Sequence, residues 1–374
     1  MIYLDYSAHT PALKEVIERF AYLESTVLGN ANSSHPLGTS AEDIQNGFTR
    51  SIASILGVDD DEIVFTSGSS ESNNTAIRGI ASASRHIGRH ILTNPLEHAS
   101  VSAPLTRLQE QGYDVEMVRI GRDGKIDLGD LEDLIRSDTV LVTVPAVDSE
   151  LGIIQPVDKI CSIIKKKAPR ARLHVDATQA IGKIPFSFEC GDTFSLTAHK
   201  FYGLLGSGLL IRRNDTPLDP LILGGHSNSI YRSGTPTVSL NGALEFALRR
   251  SIENLDVLFE RISELNGYLR EKLTDFPGVG INSPGDAVPH ILNISVDGVK
   301  GPDFQAALGR RDVCVSVKSA CSSDLLPSKA VYAVTGSRKR AMSSWRISLG
   351  RGTTKEELDE FINVFQECLK ELTR

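Results

Sequence analysis

Residues 171–208 read ARLHVDATQAIGKIPFSFECGDTFSLTAHKFYGLLGSG. Two short apolar runs, Leu173 to Val175 and Thr193 to Leu196, each end in a cluster of reactive side chains. The first delivers Asp176 and Gln179, the second Thr197, His199 and Lys200. Open α/β sheets bind ligands outside the carboxyl ends of their strands, so an acid and a lysine at neighbouring strand ends can face one small molecule. Around this stretch, from residue 41 to about 212, the segments EIVFT, HILT, VEMVRI, TVLVTV, TFSL and GLLIR alternate with helical patterns. That alternation predicts βαβ units and a three-layer α/β fold, a mainly parallel sheet covered by helices on both faces. The strand segments are continuously apolar, as sheets buried on both sides require.

Composition narrows the function classes. The chain has 374 residues and a formal charge of −7, which supplies no general basic surface, and no direct nucleic-acid binding is expected. No apolar run reaches membrane-spanning length, and MIYLDYSAHT lacks the regions of a signal peptide, so a soluble cytoplasmic protein is expected. The cysteines, Cys161, Cys190, Cys314, Cys321 and Cys368, are odd in number, scattered and without a CxxC pair, which argues against a disulfide framework or a zinc ribbon.

Outside the central stretch, a short strand around Ile2 to Leu4 precedes an amphipathic helix over 11–23, and GNANSSHPLG then breaks all periodicity. Residues 238–275 read as one long helical stretch leading into a second unit with strands HILNISV, VCVSV and SWRISLG. The expected division is a large domain, 15–250, and a smaller α/β domain of 1–14 with 251–374. The last helix carries a capping box, Thr354 with Glu357, and a stripe of Leu358, Phe361, Phe365, Leu369 and Leu372.

Several clusters carry chemistry. In FTSGSSESNN a strand turns through small residues into a helix, whose first N–H groups, with Ser69 and Ser70, suit a phosphate, although a plain helix cap has the same composition. His98 in PLEHAS follows a strand, where an imidazole caps a helix or stacks on a flat ring and moves protons. The pair His86 and His90 has helical metal-ligand spacing but only arginines beside it, and reads as solvated surface with no metal. Lys200 and Asp176 have complementary roles: a lysine amine joins an aldehyde cofactor, and an aspartate keeps a pyridine nitrogen protonated. Cys321 lies in the small, polar KSACSSDLLPS, where a thiolate nucleophile and an inert thiol are both open. Arg346 interrupts a strand-like run, a costly place for a charge unless it is paired, and there a guanidinium could grip a carboxylate.

Taken in order, LDYSAHTP, GNANSSH, FTSGSSESNN, EHASV, ELGIIQP, HVDATQAIGKIP, AHKFYG, RSGT, SACSS and RISLGR resemble the cysteine desulfurases of the class V aminotransferase family. The resemblance spans nearly the whole chain and implies a fold-type I pyridoxal 5'-phosphate (PLP) enzyme, a homodimer supplying sulfur for iron–sulfur clusters. It implies Lys200 as the Schiff-base lysine, Asp176 as the pyridinium partner, Gln179 on the phenolic oxygen, and His98 for stacking and proton transfer. Ser69, Ser70, Thr197 and His199 would hold the phosphate, with Ser149 at the ring and Thr235 reaching in from the second subunit. Arg346 and Asn30 would meet L-cysteine, and Cys321 would take its sulfur as a persulfide for an acceptor protein, leaving L-alanine. Another class V enzyme, a selenocysteine or cysteine-derivative lyase or an aminotransferase, and a non-catalytic sulfur-relay subunit are the alternatives.

The chain departs from that pattern where Asp148 and Ser149 replace two asparagines, where GLLG replaces GPKG after the lysine, and where HSNSIY lacks an acid and an arginine. Ser70 stands for a threonine and Lys318 for the glycine of GSAC.

Overall fold

The computed structural model describes residues 1–225, 229–318 and 326–373. Strand β1 (Ile2–Tyr3) opens the chain. Seven strands follow: β2 (Ile63–Thr66), β3 (His90–Thr93), β4 (Asp114–Met117), β5 (Thr139–Pro145), β6 (Arg172–Asp176), β7 (Thr193–Thr197) and β8 (Gly208–Arg212). They form one sheet in the order β2-β8-β7-β6-β5-β3-β4. Neighbours from β7 through β4 are parallel, while β8 runs antiparallel to both β7 and β2. The expected mainly parallel sheet is therefore present, with every strand segment read between residues 41 and 212 in it.

Strand periodicity sends alternate side chains to opposite faces. Leu209 and Ile211 join one core with Val16, Ile52, Ile160 and Leu244, from helices Lys14–Thr26, Pro36–Leu56, Val157–Lys167 and Val238–Glu253. Leu210 between them joins the other core, with Ile77 and Leu105 from helices Ser69–Ala83 and Ala99–Glu110. Helices thus cover both faces.

The remaining strands are β9 (Val279–Ile281), β10 (Ile291–Val296), β11 (Val313–Cys314) and β12 (Ser344–Ser348). A three-stranded antiparallel sheet has the order β12-β10-β9, and β1 pairs in parallel with β11. A separate core gathers Ile2, Leu4, Ile294, Phe304, Trp345, Ile347, Phe361 and Phe365. The capping box at Thr354 and Glu357 forms, and Leu358, Phe361 and Phe365 of the expected stripe are buried there.

Two boundaries differ from the sequence reading. The segment expected as one helix over 238–275 breaks at Asn254, whose Nδ2 donates to the Arg250 carbonyl at 2.6 Å and ends the first helix locally. The irregular stretch GNANSSHPLG is shorter than read, because Pro36 occupies the first helical turn and His35 Nδ1 accepts from Gly38 N at 3.2 Å.

Candidate active site

A cavity of about 420 Å³ opens at the carboxyl ends of β2, β5, β6 and β7. Asp176 ends β6, and Lys200 sits in the single turn Ala198–Lys200 that follows β7, the next parallel strand. Asp176 is 7% exposed and accepts three hydrogen bonds: Asn73 Nδ2 at 3.0 Å, Thr178 N at 3.0 Å and Ser195 Oγ at 3.2 Å. His174, two residues earlier on the same strand face, reaches Asn73 Oδ1 through Nε2 at 2.9 Å. Since Asn73 spends its amide hydrogens on Asp176 and Ser100, its oxygen must accept, so His174 Nε2 carries the proton. Burial lowers the His174 pKa to about 4, which keeps the ring neutral.

Lys200 Nζ donates to the carbonyls of Ser7 and Ala8, each at 2.6 Å, so the start of the chain forms one wall of the cavity. Gln179 Nε2 donates to the same Ser7 carbonyl at 3.0 Å. On the far side, β2 ends at Thr66 and Gly68 caps the helix beginning at Ser69. Gly68 has φ +147°, and a Cβ there would stand 3.2 Å from Thr197 Oγ1, so only glycine leaves the helix start open beside Thr197. Ser69, Ser70, Thr197 and His199 all line the cavity. Thr197 Oγ1 and His199 Nδ1 are 3.1 Å apart, and burial lowers the His199 pKa to about 4.

His98 caps helix Ala99–Glu110, its Nδ1 accepting from Ser100 N at 3.1 Å. That bond assigns the neutral ring its proton on Nε2. Burial lowers the His98 pKa, a shift that Asp176 opposes and Lys200 reinforces.

Arg346 lies in β12 between Trp345 and Ile347, which point into the core, so the pleat turns its side chain the other way, to the cavity. It is 1% exposed. Nη2 donates to Asp5 Oδ1 at 3.0 Å and Nη1 to the Ser149 carbonyl at 2.7 Å. The buried charge expected to need a partner has one. Ser149 lines the cavity. Asp148 does not: its carboxylate turns back to accept from Glu150 N at 3.2 Å and Leu151 N at 2.5 Å, and burial raises its pKa to about 7.

Three expected residues lie elsewhere. Asn30 is exposed and its Oδ1 accepts from Asn32 N at 2.9 Å, outside the cavity. Thr235 lines an adjoining cavity of about 760 Å³, which shares Ser67 and Gly206 with the first. Cys321 falls outside the described residues. Lys318 and Leu326 flank that segment, and the Lys318 ammonium donates to the Leu326 carbonyl. The helix that follows begins at Ser328, whose Oγ donates to Glu150 Oε2 at 2.5 Å.

The reading of His86 and His90 as solvated surface is corrected. His86 is exposed, but His90 is buried in β3, with Nδ1 2.8 Å from Thr139 Oγ1 and Nε2 3.5 Å from Glu116 Oε2. His90, Asp114 and Glu116 bring possible ligand atoms within 4.8 Å of one another, but Arg136 stands 2.9 Å from Asp114 and 3.7 Å from Glu116. A guanidinium already answers that negative charge.

Sequence reasoning missed the supports of the site. Asp5 and the Ser7 and Ala8 carbonyls belong to LDYSAHTP, noted only as a motif, and Asn73 to FTSGSSESNN. The one local signal was His174, two residues before Asp176 and hence on its face of the strand.

Comparison with known proteins gives the same frame. The profile of the family described as Aminotransferase class-V matches residues 2–361. The chain belongs to the class-V aminotransferase family. Among its relatives in that family, "Cysteine desulfurase IscS" of Dictyoglomus turgidum is 36% identical over 376 residues, covering 99% of this chain and 95% of that one. The "NifS/IcsS protein homolog" of Lactobacillus delbrueckii subsp. bulgaricus is 34% identical, covering 100% and 98%. Of solved structures, one titled "NIFS-LIKE PROTEIN" superposes with a TM-score of 0.94 at 33% identity, covering 99% and 100% of the two chains. Another, "SspA in complex with cysteine", has a TM-score of 0.82 at 30% identity, covering 93% and 99%. Class V membership carries with it the three-layer fold described above.

Proposed function

We propose that this protein is a PLP-dependent cysteine desulfurase that converts L-cysteine to L-alanine and passes the sulfur, through a persulfide on Cys321, to an acceptor protein. The observation that carries the reading is the convergence of Asp176, Lys200 and Arg346 on one cavity. Full-length relatives named cysteine desulfurase, and a structural neighbour titled as a complex with cysteine, support the substrate.

The residues present fit a flat, anionic aldehyde. A carboxylate that accepts from three donors stands where a ring nitrogen would lie, an amine lies across the cavity, and a glycine-opened helix start offers N–H groups to a phosphate. When bound, the cofactor supplies an electron sink for the bonds at the substrate α-carbon. Lys200 anchors the aldehyde. Asp176 holds a proton on the ring nitrogen, and Ser69, Ser70, Thr197 and His199 hold the phosphate. His98 would stack on the ring and present its Nε2–H there for proton transfer. Arg346 binds the substrate carboxylate and so fixes the substrate in the cavity. Cys321 as thiolate forms a bond to that sulfur as the carbon–sulfur bond breaks, and the carbon left behind is protonated to alanine.

A homodimer, with Thr235 supplied by the second subunit, belongs to this reading, as does the division into a cofactor-holding unit, 15–250, and a smaller one, 1–14 with 251–374. The separate cores support the division. Delivery of sulfur to iron–sulfur cluster assembly is the proposed purpose. No helix among the described residues is long and apolar enough to cross a membrane.

The test is incubation of the purified protein with PLP, L-cysteine and a reductant. Equal amounts of alanine and sulfide are expected, with a persulfide on Cys321 by mass spectrometry before the reductant is added. Cys321→Ala should keep the yellow cofactor band and lose sulfide release. A Cys321→Ala variant that still turns over would replace the desulfurase with a lyase, and no alanine from the parent protein would overturn the reading.

A further inference from the structure

Lys183 is the deepest lysine near the cavity, 4% exposed, and its Nζ donates to Gln179 Oε1 at 2.9 Å. No carboxylate pairs with it among the described residues. The charged groups facing it are Lys200 and Arg346, both positive, and with burial they lower its pKa to about 7. His290, its other titratable neighbour, is buried with a pKa near 3 and supplies no negative charge. A lysine in such surroundings is expensive to keep. Its place is nonetheless fixed by the fold. Gly182 has φ +72°, and a Cβ there would press against Ser251 Cβ at 3.1 Å and Phe201 Cβ at 3.2 Å.

What Lys183 does is decide how Gln179 faces. The Gln179 amide donates through Nε2 to the Ser7 carbonyl at 3.0 Å and accepts from Lys183 through Oε1. Rotating the amide by half a turn would set its oxygen against the Ser7 carbonyl and its NH2 against the Lys183 donors, so the Ser7 contact opposes it throughout and the Lys183 contact while the ammonium is charged. One amide hydrogen is taken by Ser7. The second is left for an acceptor in the cavity that Gln179 lines.

We propose that Lys183 is a positioning residue of the cofactor site, locking the Gln179 amide so that its remaining N–H donates to the phenolic oxygen of the bound ring. The inference rests on the PLP reading above and adds to it a residue that touches neither ring nor substrate. Without Lys183, Oε1 is a buried acceptor with no donor, and only the Ser7 carbonyl orients the amide.

The experiment compares the parent protein with Lys183→Met, Gln179→Ala and the double variant, all as full chains checked by circular dichroism. Absorbance titration with PLP gives affinity, and the pH midpoint of the visible band reports the state of the ring. Lys183→Met should weaken PLP binding on the order of tenfold and move the midpoint. Gln179→Ala should do the same, and the double variant should be no worse than Gln179→Ala alone, since Lys183 acts through the amide. A folded Lys183→Met with parental affinity and midpoint, or losses that multiply in the double variant, overturns the proposal. A purely structural lysine would lower thermal stability and leave the midpoint in place, which also overturns it. Lys183→Leu gives the same readings where the Met variant does not fold. If the parent itself takes up no PLP, the functional reading falls, and this inference with it; a coloured parent matched by Lys183→Met refutes this inference alone.

Discussion

Arg346 and Asp5, 341 positions apart in the chain, meet at 3.0 Å beside the cavity that also holds Asp176 and Lys200. The guanidinium is thus neutralised before any substrate arrives, and a substrate carboxylate must share it with Asp5. Truncating one partner of a buried charged pair costs roughly 2–5 kcal/mol. Arg346→Gln should therefore raise KM for L-cysteine about thirtyfold or more while leaving the PLP spectrum unchanged. Asp5→Asn keeps an oxygen for Nη2 and should raise KM less. Steady-state kinetics with absorbance spectra check both, and an unchanged KM in Arg346→Gln would remove this residue from substrate binding.

Asp176 is held by three donors, and Asn73 links it to neutral His174. Asp176→Asn would turn an NH2 toward at least one of those donors and remove the charge that a protonated ring nitrogen needs. PLP affinity should fall by tenfold or more and desulfuration by a larger factor. Equilibrium dialysis separates the two losses.

His98 keeps its cap only as the neutral ring, with Nδ1 accepting from Ser100 N and the proton on Nε2, and burial places its pKa below the ordinary 6.5. The neutral form therefore persists as pH falls through that ordinary value and is lost only lower. The acid limb of the kcat–pH profile should lie below pH 6.5, and His98→Ala should lower kcat by about a hundredfold or more and abolish that limb. A profile for His98→Ala parallel to that of the parent protein would assign the proton transfer elsewhere.

Glu97, next to His98, is half-buried with its carboxylate Oε2 out of solvent, and its pKa is raised to about 8, first by burial and then by Asp176. The folded protein therefore holds a proton that the unfolded chain releases above pH 4.5. The Glu97 contribution favours folding fully at low pH and fades as pH rises toward 8. Glu97→Gln keeps the shape without the titration. The stability of the variant relative to the parent should rise between pH 5 and 8, read from denaturant midpoints at several pH values; a difference independent of pH would mean that Glu97 ionises normally.

Much of this was legible because it is local. Asp176 and Lys200 announced themselves at the ends of apolar runs, and the glycine and serines after Phe65 marked the open helix start. Arg346 stood out as a charge in a strand, but its partner could not be read, because Asp5 is joined to it only by the pairing of β1 with β11 and a bridge from Asp5 to Ser348. Likewise Asn73 was one asparagine among two in FTSGSSESNN until the packing of its helix on β6 set it against Asp176. The break at Asn254 escaped because apolar periodicity continues across it, and a single side-chain bond to Arg250 ends the helix. His90 was misread because RHIGRH looks charged, although its last residue begins a buried strand.

The docking of the first residues against β11 and β12 also bears on when the protein can become an enzyme. Residues 5–8 supply the carbonyls that meet Lys200 and the carboxylate that meets Arg346, yet β1 has no strand to pair with until residues 313–348 have been made. A nascent chain can assemble the central sheet early, since its strands are contiguous in synthesis, but the wall of the pocket waits for the closing of a loop of more than three hundred residues. A chain truncated before β12 would therefore keep the strands of the central sheet and lack both Arg346 and the pairing that docks this wall of the pocket.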